Sequence, residues 1–513
     1  MKSGLEIAQG ATLEPIVDVA TAVGILPEEL RPYGAYRAKV ALSILDRLRE
    51  ASDGKLVITT AITPTKAGEG KTTTSVSLTQ GLGVLGKKVA LAIREPSMGP
   101  VFGIKGGGTG GGYAQVVPME DINLHFNGDF HAVTAAHNLL AAAIDASIFH
   151  GNPLGIDPQT ITWPRTMDVN DRELRRTVVG LGGKAHGIPR ENEFVITAAS
   201  EIMAILALTA DLQDLRARLG RVVVASTYDG EPVIAEQLRV AGAMTVVMRD
   251  AIEPNLVQTL EHQPVFIHAG PFGNIAHANN SIIEDRIALK LADYVVTEAG
   301  FGSDLGFQKF CDIVCRLGGF APTAGVLVTT VRATKSHGGM PFGELGSEDL
   351  DALRRGIDNL EAHIGIIRGY GLPCVVSINN FPTDTPAESS FHQLTPDGTP
   401  LREQIDAIAT TLYGADGVDY LPQAEVDLAR MDRLGFGTVP VCMAKTHLSL
   451  SHEPSWLNRP RGYRLPVRSV VPAAGAGFVV VLCGEMQRMP GLGRTPNFIG
   501  VDIDAEGRTI GLF

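Results

Sequence analysis

A Lys-Thr pair preceded by glycines lies between a predicted strand and a predicted helix near the start of the chain. The strand is predicted over residues 55–62 and the helix over residues 75–85. In this order glycines let backbone N–H groups face phosphate oxygens, the lysine reaches the outer phosphates, and the threonine hydroxyl can bind Mg²⁺. We predict a phosphate loop with Lys71 as a catalytic residue and Thr72 as a metal ligand. Its nucleotide-binding residues are Thr65, Lys66, Ala67, Gly68, Glu69, Gly70, Lys71 and Thr72.

Thr65 departs from the usual phosphate-loop pattern, which has its first glycine at this position. The alternative is an ordinary strand-to-helix turn in which the Lys-Thr pair only begins a helix. Since a strand pattern precedes the turn and a helix pattern follows it, the phosphate loop is favoured.

A second glycine-rich segment follows the next predicted strand, residues 88–93. That strand ends at Arg94 and Glu95, and seven of the ten residues from Gly103 to Gly112 are glycine. Glycine loses the most backbone entropy on ordering and has no side chain to bury, so this run is not a core element. A disordered linker is the alternative to an ordered loop that approaches a ligand. The predicted substrate-binding residues of the loop are Lys105, Gly106 and Gly107.

Ionisable residues on both sides of this glycine run are candidates for chemistry. Arg94 offers a planar fork suited to a carboxylate or a phosphate, and an ordinary ion pair is its alternative role. Glu95 lies beside it and is also predicted to be catalytic. His125, Asp129 and His131 are spaced so that a turn could gather them as proton-transfer groups, although a single histidine is often a packing residue.

The elements that must position these residues form a repeating pattern of short β-branched runs and longer helical segments. This alternation is typical of an α/β fold with a mostly parallel sheet flanked by helices. Ligands bind at the carboxyl ends of such strands, where several of the polar residues lie. The predicted strands cover residues 55–62, 88–93, 221–226, 264–268, 294–297, 325–331 and 373–378.

Composition shifts divide the chain into three predicted domains. Residues 1–345 form the phosphate-loop domain, residues 346–440 a second α/β domain that contributes to the acceptor site, and residues 441–513 a small β-rich domain. Helices are predicted over residues 347–367 and 401–412, on either side of a turn-rich segment.

Charge and apolar patterning limit the classes of partner. Acidic residues outnumber basic ones, 56 to 44, which argues against dedicated binding of nucleic acid or an anionic membrane surface. The longest apolar runs are shorter than the ~20 residues of a membrane span. The five cysteines are spread along the chain, which favours a reduced, cytoplasmic protein. Cys311 and Cys315 lie one helical turn apart and could form half a metal site. Because no second Cys or His pair at ligand spacing accompanies them, buried packing is favoured.

The phosphate loop and the segments after it resemble the formate–tetrahydrofolate ligase family. The resemblance implies ATP-dependent formylation of N10 of tetrahydrofolate through formyl phosphate, with release of ADP and phosphate. It also implies Mg²⁺, a monovalent cation such as K⁺ or NH₄⁺, and a homotetramer whose partners are the small molecules formate, ATP and tetrahydrofolate. The similar segments are 94–100, 103–105, 117–129, 270–277, 297–306, 331–339, 381–385, 444–446 and 489–492.

The resemblance is interrupted after Thr385. In the family, the segment beginning at Phe381 leads after some tens of residues to a motif whose tryptophan faces the phenylalanine across the folate pterin. Here the chain reaches the predicted helix at Leu401 within sixteen residues, and that motif is absent. Phe381 is therefore predicted to bind substrate without an opposing tryptophan, with a role as a turn anchor as the alternative. A further departure is His447-Leu448, where the family usually has Gln-Tyr.

Two other functions remain open at this point. The missing motif would allow the same activation of formate with a different amine as the acceptor. A phosphate-loop ATPase switch of the partitioning type would also explain the Lys-Thr pair. That second alternative leaves Arg94, Glu95 and the seven-glycine run without a role.

Overall fold

Among the residues that the structure describes, an eleven-stranded mixed sheet is the largest element of the fold. The structure is a computed structural model and describes residues 2–65, 68–103, 107–345, 347, 349–377, 398–484, 488–490, 492, 501–504 and 509–511. Nine strands run across the sheet in the spatial order Leu30–Pro32, Ala38–Val40, Asn255–Thr259, Pro264–Ile267, Val89–Ile93, Tyr294–Gly302, Lys55–Ala61, Ala324–Val328 and Cys374–Val376. Ala114–Val117 also pairs with Asn255–Thr259, and Gly110–Gly111 pairs with Ala114–Val117.

The strands from Pro264–Ile267 to Cys374–Val376 in this order are parallel. In the register of the central strands, Thr297 lies opposite Ile58 on one side and Ala92 on the other. The strand Asn255–Thr259 is antiparallel to both of its neighbours in this order, and the sheet continues beyond it to its other edge. The predicted α/β class with a mostly parallel sheet is confirmed.

Alternating side chains of the central strands enter two different cores. On the strand Val89–Ile93, which is buried throughout, Leu91 belongs to a core with Val76 of the helix Lys71–Val84. Ala90 and Ala92 belong to the main core on the opposite face. Because side chains of a strand alternate between faces, a strand covered on both sides is apolar at every position. This explains why short β-branched runs predicted the sheet.

Six of the seven predicted strands occur in this sheet, but the prediction for residues 221–226 is wrong in its placement. The strand Val223–Ser226 pairs antiparallel with Pro232–Ile234 in a separate two-stranded sheet. The Thr227 N–H donates to the Glu231 carbonyl at 2.8 Å, and Gly230 adopts a φ of 86° in the connecting turn. A turn this short joins antiparallel strands, whereas a parallel partner needs a long crossover.

The described α-helices cover the faces of the sheet and connect its strands. The predicted helix at residues 347–367 is Leu350–Gly369, and the one predicted from residue 401 is Leu401–Ala407, continued by a π-helix over Ile408–Leu412. The remaining α-helices are Gly4–Gln9, Ile16–Val23, Ser43–Arg47, Lys71–Val84, Met98–Phe102, Met119–Asn123, Asp129–Phe149, Glu201–Leu208, Leu212–Arg221, Ala241–Met248, Ile282–Leu291, Arg316–Gly318, Val331–His337 and Pro422–Arg433.

Asp129–Phe149 is the one described helix that is long and apolar enough to cross a membrane. Length and composition alone do not separate such a span from a core helix of a globular protein. Val133, Leu140 and Ile144 of this helix lie in the main core. The helix also packs against Ala241–Met248.

Smaller sheets occur in the C-terminal part of the chain. Val441–Ala444 is parallel to Phe478–Leu482, which is antiparallel to Ser469–Ala473. Gly417–Tyr420 is parallel to Arg464–Val467, so strands on either side of residue 440 pair with each other. The division into domains at residues 345 and 440 stays a prediction.

Candidate functional site

Three neighbouring parallel strands end at one edge of the sheet, where Arg94, Glu95 and the described residues of the predicted phosphate loop lie. Lys55–Ala61 leads into the predicted phosphate loop, Val89–Ile93 leads into Arg94 and Glu95, and Tyr294–Gly302 carries Glu298. Tyr294–Gly302 pairs with both of the other strands. Residues distant in sequence therefore meet at one carboxyl edge, as expected for an α/β ligand site.

The predicted phosphate-loop segment turns through left-handed glycines before a helix begins. Gly68 and Gly70 have φ values of 73° and 75°, which favour glycine because it has no Cβ. Gly70 precedes the helix Lys71–Val84, so free N–H groups of its first turn lie beside Lys71. Lys66 and Ala67 lie outside the described residues.

Thr65 takes part in the loop through its hydroxyl group. Its N–H and its Oγ1 both donate to Glu69 Oε1, at 2.5 and 3.2 Å. Glu69 is buried. The residue that departs from the usual glycine therefore closes the loop by a side-chain contact.

Lys71, Thr72 and Glu298 form the ionic part of the site. Thr72 Oγ1 donates to Glu298 Oε2 at 3.1 Å, and Glu298 Oε1 is buried without a hydrogen-bond partner among the described residues. Burial raises the pKa of Glu298, while Arg94 and Lys71 oppose this rise. Burial lowers the pKa of Lys71, and Glu69 and Glu298 oppose that shift. A hydroxyl and an unsatisfied carboxylate oxygen are ligands suited to Mg²⁺.

Glu298 was not among the predicted site residues. Its sequence signal is an acidic residue near the end of a strand, a position that many loops share. Only strand order shows that this strand lies directly beside Lys55–Ala61. The contact with Thr72 could not be deduced from sequence spacing.

Arg94 lies beside residues of two other segments. Its Nη1 donates to the Pro271 carbonyl at 3.3 Å, and a Cβ on Gly300 would lie 3.1 Å from the same nitrogen. Burial lowers the pKa of Arg94, and the charge of Glu298 opposes the shift. Within the described part of the chain its guanidinium forms no ion pair with a carboxylate. Its remaining donors are therefore suited to an anion.

Glu95 belongs to a buried acidic pair with Asp129. Asp129 Oδ1 accepts from Lys39 Nζ at 2.7 Å, and Asp129 Oδ2 accepts from Asn255 Nδ2 at 2.8 Å. Burial and the charge of Asp129 raise the pKa of Glu95 well above its ordinary value, and Lys39 opposes this. The lysine and the amide thus occupy the two oxygens of Asp129, and the raised pKa favours the protonated form of Glu95. Glu95 Oε2 has no hydrogen-bond partner among the described residues.

The predicted grouping of His125, Asp129 and His131 is only loosely realised. Both histidines are exposed, whereas Asp129 is buried in its pair with Lys39. His125 is close enough to lower the pKa of Asp168, which burial raises. Asp168 accepts from Ser97 Oγ at 2.5 Å, and Ser97 lies two residues after Glu95. His125 therefore acts electrostatically on Asp168, while no described contact links His131 to the acidic residues.

The described end of the seven-glycine run is ordered against Asn123. The Gly108 N–H donates to Asn123 Oδ1 at 2.9 Å, and Asn123 Nδ2 donates to Thr109 Oγ1 at 3.1 Å. A Cβ on Gly107 would lie 2.2 Å from Asn123 Oδ1, so a side chain does not fit there. Lys105 and Gly106 lie outside the described residues.

An aromatic pair lies near Arg94 that the sequence did not predict. Phe301, which follows Gly300, has a φ of 61° and stacks on His447 with ring centroids 4.6 Å apart. A φ in this region is uncommon for a bulky residue and often occurs at functional sites. Phe381, the predicted aromatic residue of the acceptor site, lies outside the described residues.

Comparison with known proteins accounts for this combination of features. The model of the family described as formate–tetrahydrofolate ligase matches residues 2–393 and 387–513. The chain belongs to the formate–tetrahydrofolate ligase family. A formate–tetrahydrofolate ligase of Desulforamulus reducens (strain ATCC BAA-1160 / DSM 100696 / MI-1) is 51% identical, with 100% of this chain and 99% of the relative covered.

The comparison also locates the departure from the family. The alignment with the D. reducens ligase spans 562 positions, 49 more than the 513 residues of this chain. The family match divides into two stretches that meet at residues 387–393, just after Thr385. These findings agree with the absence of the family's tryptophan motif after Thr385.

Proposed function

We propose that the protein ligates formate to tetrahydrofolate at the expense of ATP, as a member of the formate–tetrahydrofolate ligase family. The observation that supports this reaction most directly is the meeting of the Lys71 loop, the Thr72–Glu298 pair and Arg94 at adjacent strand ends. Such a site can activate a carboxylate by transfer of a phosphoryl group. The proposed product is 10-formyltetrahydrofolate, formed with ADP and phosphate.

In the proposed first step, the loop binds ATP and formate attacks its terminal phosphate. Lys71 and the N–H groups at the start of the helix Lys71–Val84 stabilise the negative charge on the moving phosphoryl group. Thr72 and Glu298 are the proposed holders of Mg²⁺, which supplies further neutralisation of the phosphates when bound. The proposed loop contacts include Lys66 and Ala67.

Arg94 is the proposed holder of formate and then of formyl phosphate. Its guanidinium, free of ion pairs among the described residues, can donate two parallel hydrogen bonds to a carboxylate or an acyl phosphate. We assign Lys105, Gly106 and Gly107 to the substrate loop because Asn123 orders the neighbouring backbone.

In the proposed second step, the folate amine attacks the formyl carbon and phosphate leaves. The amine must lose a proton. Among the predicted proton acceptors we favour His125, an exposed imidazole near Asp168, because the neutral form of an imidazole can accept a proton. We retain Glu95, Asp129 and His131 as catalytic candidates. Phe381 is proposed to stack on the acceptor.

The family resemblance also predicts a homotetramer, a stimulatory K⁺ or NH₄⁺ ion and a cytoplasmic location, and these stay predictions. The 49 additional alignment positions give one specific reason to keep a different amine acceptor as the second candidate. Both candidates use the same activation of formate.

Release of ADP, measured with each substrate omitted in turn, tests the proposal. We expect ADP release that requires formate and tetrahydrofolate together. Continued release that requires formate and another amine, but not tetrahydrofolate, would support another acceptor. Release without formate would contradict the ligase and favour an ATPase. Calorimetric titration with tetrahydrofolate measures whether the shortened acceptor region binds it tightly.

A further inference from the structure

A buried group of side chains holds Thr63, which lies between the strand Lys55–Ala61 and the phosphate loop. Its Oγ1 lies 2.9 Å from His363 Nε2 and accepts from Asn359 Nδ2 at 3.0 Å. Its carbonyl accepts from His337 Nε2 at 2.8 Å. All four residues are buried. The first part of the loop is therefore held by side chains from two helices distant in sequence.

His363 joins this group to a second loop at the same edge of the sheet. Its Nδ1 lies 2.7 Å from Ser303 Oγ, just after the strand Tyr294–Gly302. Burial lowers the pKa of His363 to about 4, so the ring is neutral near pH 7 and one nitrogen donates while the other accepts. Both ring nitrogens of His363 therefore form hydrogen bonds, Nε2 with Thr63 and Nδ1 with Ser303.

The packing around His363 leaves little room for movement. A Cβ on Gly302 would lie 3.0 Å from His363 Cε1 and 3.1 Å from the Ile62 carbonyl. Contacts closer than about 3.4 Å are repulsive for carbon atoms, so the strand end, the imidazole and the loop entrance fit together only without that side chain. The ring is a fixed spacer between two strand ends.

We propose that His363 is a positioning residue for nucleotide binding. By fixing Thr63 it holds the entrance of the phosphate loop in the conformation that directs the loop amides and Lys71 toward the phosphates. A loop that is already ordered before binding loses less conformational entropy when the nucleotide binds. This inference rests on the proposed nucleotide site and assigns a role to a residue that does not itself contact the substrate.

A pair of matched variants separates this role from ordinary core packing. The amide of His363→Gln can reach the position of Nε2 and keep the bond to Thr63, whereas that of His363→Asn can reach only the position of Nδ1 and keeps Ser303. Loss of one buried hydrogen bond corresponds to roughly tenfold in an equilibrium constant. We expect H363N to weaken ADP binding about tenfold and H363Q to bind ADP nearly as the unchanged protein does.

ADP binding is measured by calorimetry on the full chain, with a thermal unfolding curve for each variant. Equal loss of ADP affinity in both variants, or a loss in neither, would overturn the proposal. Since the measurement needs no turnover, it remains decisive even when the protein fails to ligate formate. Failure of the proposed function would instead appear as ADP binding without formate-dependent turnover.

Variants of the two hydroxyl residues provide an independent test if the His363 variants do not fold. Thr63→Val removes the hydroxyl at nearly constant shape, and Thr63→Ser retains it. We expect T63V to weaken ADP binding and both T63S and Ser303→Ala to leave it within about twofold, less than the effect of one buried hydrogen bond. Equal affinity in T63V and T63S would refute the role of this contact.

Discussion

Replacing Glu298 by Gln should weaken the metal-dependent step while leaving the fold at least as stable. The substitution keeps the shape and the contact with Thr72 Oγ1, which is 3.1 Å long, but removes the charge. Hydrogen bonds to a charged group contribute about 1.5–3 kcal/mol, which corresponds to about 10- to 150-fold. We expect the Mg²⁺ concentration for half-maximal ADP release to rise by that factor. The assay is a Mg²⁺ titration at saturating ATP, formate and acceptor.

E298Q should affect folding stability in the opposite direction to its effect on the metal-dependent step. Burial raises the pKa of Glu298, so holding its ionised form in the folded protein costs free energy near pH 7. E298Q removes this cost, although Lys71 and Arg94 then lose a compensating charge. We expect an unfolding temperature equal to or above that of the unchanged protein. Thr72→Ser, which retains the hydroxyl, is the matched control for the metal site.

Two results would refute the reasoning about Glu298. An unchanged Mg²⁺ dependence in E298Q would exclude the carboxylate from the metal site. A fall in unfolding temperature that parallels the loss of activity would instead make Glu298 a structural residue.

Three further substitutions test other parts of the site and fold. Lys71→Ala should abolish formate-dependent ADP release with an unchanged unfolding curve, and near-normal turnover would contradict the phosphate-loop assignment. Arg94→Lys keeps the charge but not the fork, so kcat should fall about tenfold or more, whereas an unchanged kcat would favour a structural role. Burial raises the pKa of Glu201 from 4.5 to about 7, so folding stability should decrease as pH rises through that interval, by up to about 3 kcal/mol. Glu201→Gln should flatten this dependence in unfolding curves between pH 5 and 8, and an identical slope would exclude Glu201 as its cause.

The sheet could largely be predicted because its strands are buried on both faces. A run such as Val89–Ile93 is apolar without interruption, and this signal can be recognised without knowing which strands lie next to it. The wrong placement of the strand at residues 221–226 also follows from relying on this local apolar signal. An apolar strand such as Val223–Ser226 has the same composition whether its partner is parallel or antiparallel, so only the turn at Gly230 distinguishes the two.

Single residues of the site were predictable where their role depends on local geometry. The glycines before Lys71 take left-handed conformations that few other residues adopt, so the turn could be predicted from the sequence, while its role as a phosphate loop stays a prediction. Asp129 shows the limit of this reasoning. Its spacing from His125 indicated a shared function, but its partners Lys39 and Asn255 come from distant parts of the chain.

The amino-acid sequence by itself therefore determined the α/β class and the family, and it predicted the phosphate loop and the role of Arg94, because these depend on local periodicity and on short motifs along the chain. The tertiary structure alone decided that Glu298 meets Thr72 and that His363 holds Thr63. Such contacts follow from strand order and helix packing, which bring together residues separated by 226 and 300 positions. No local propensity encodes which distant side chain will complete a buried hydrogen bond.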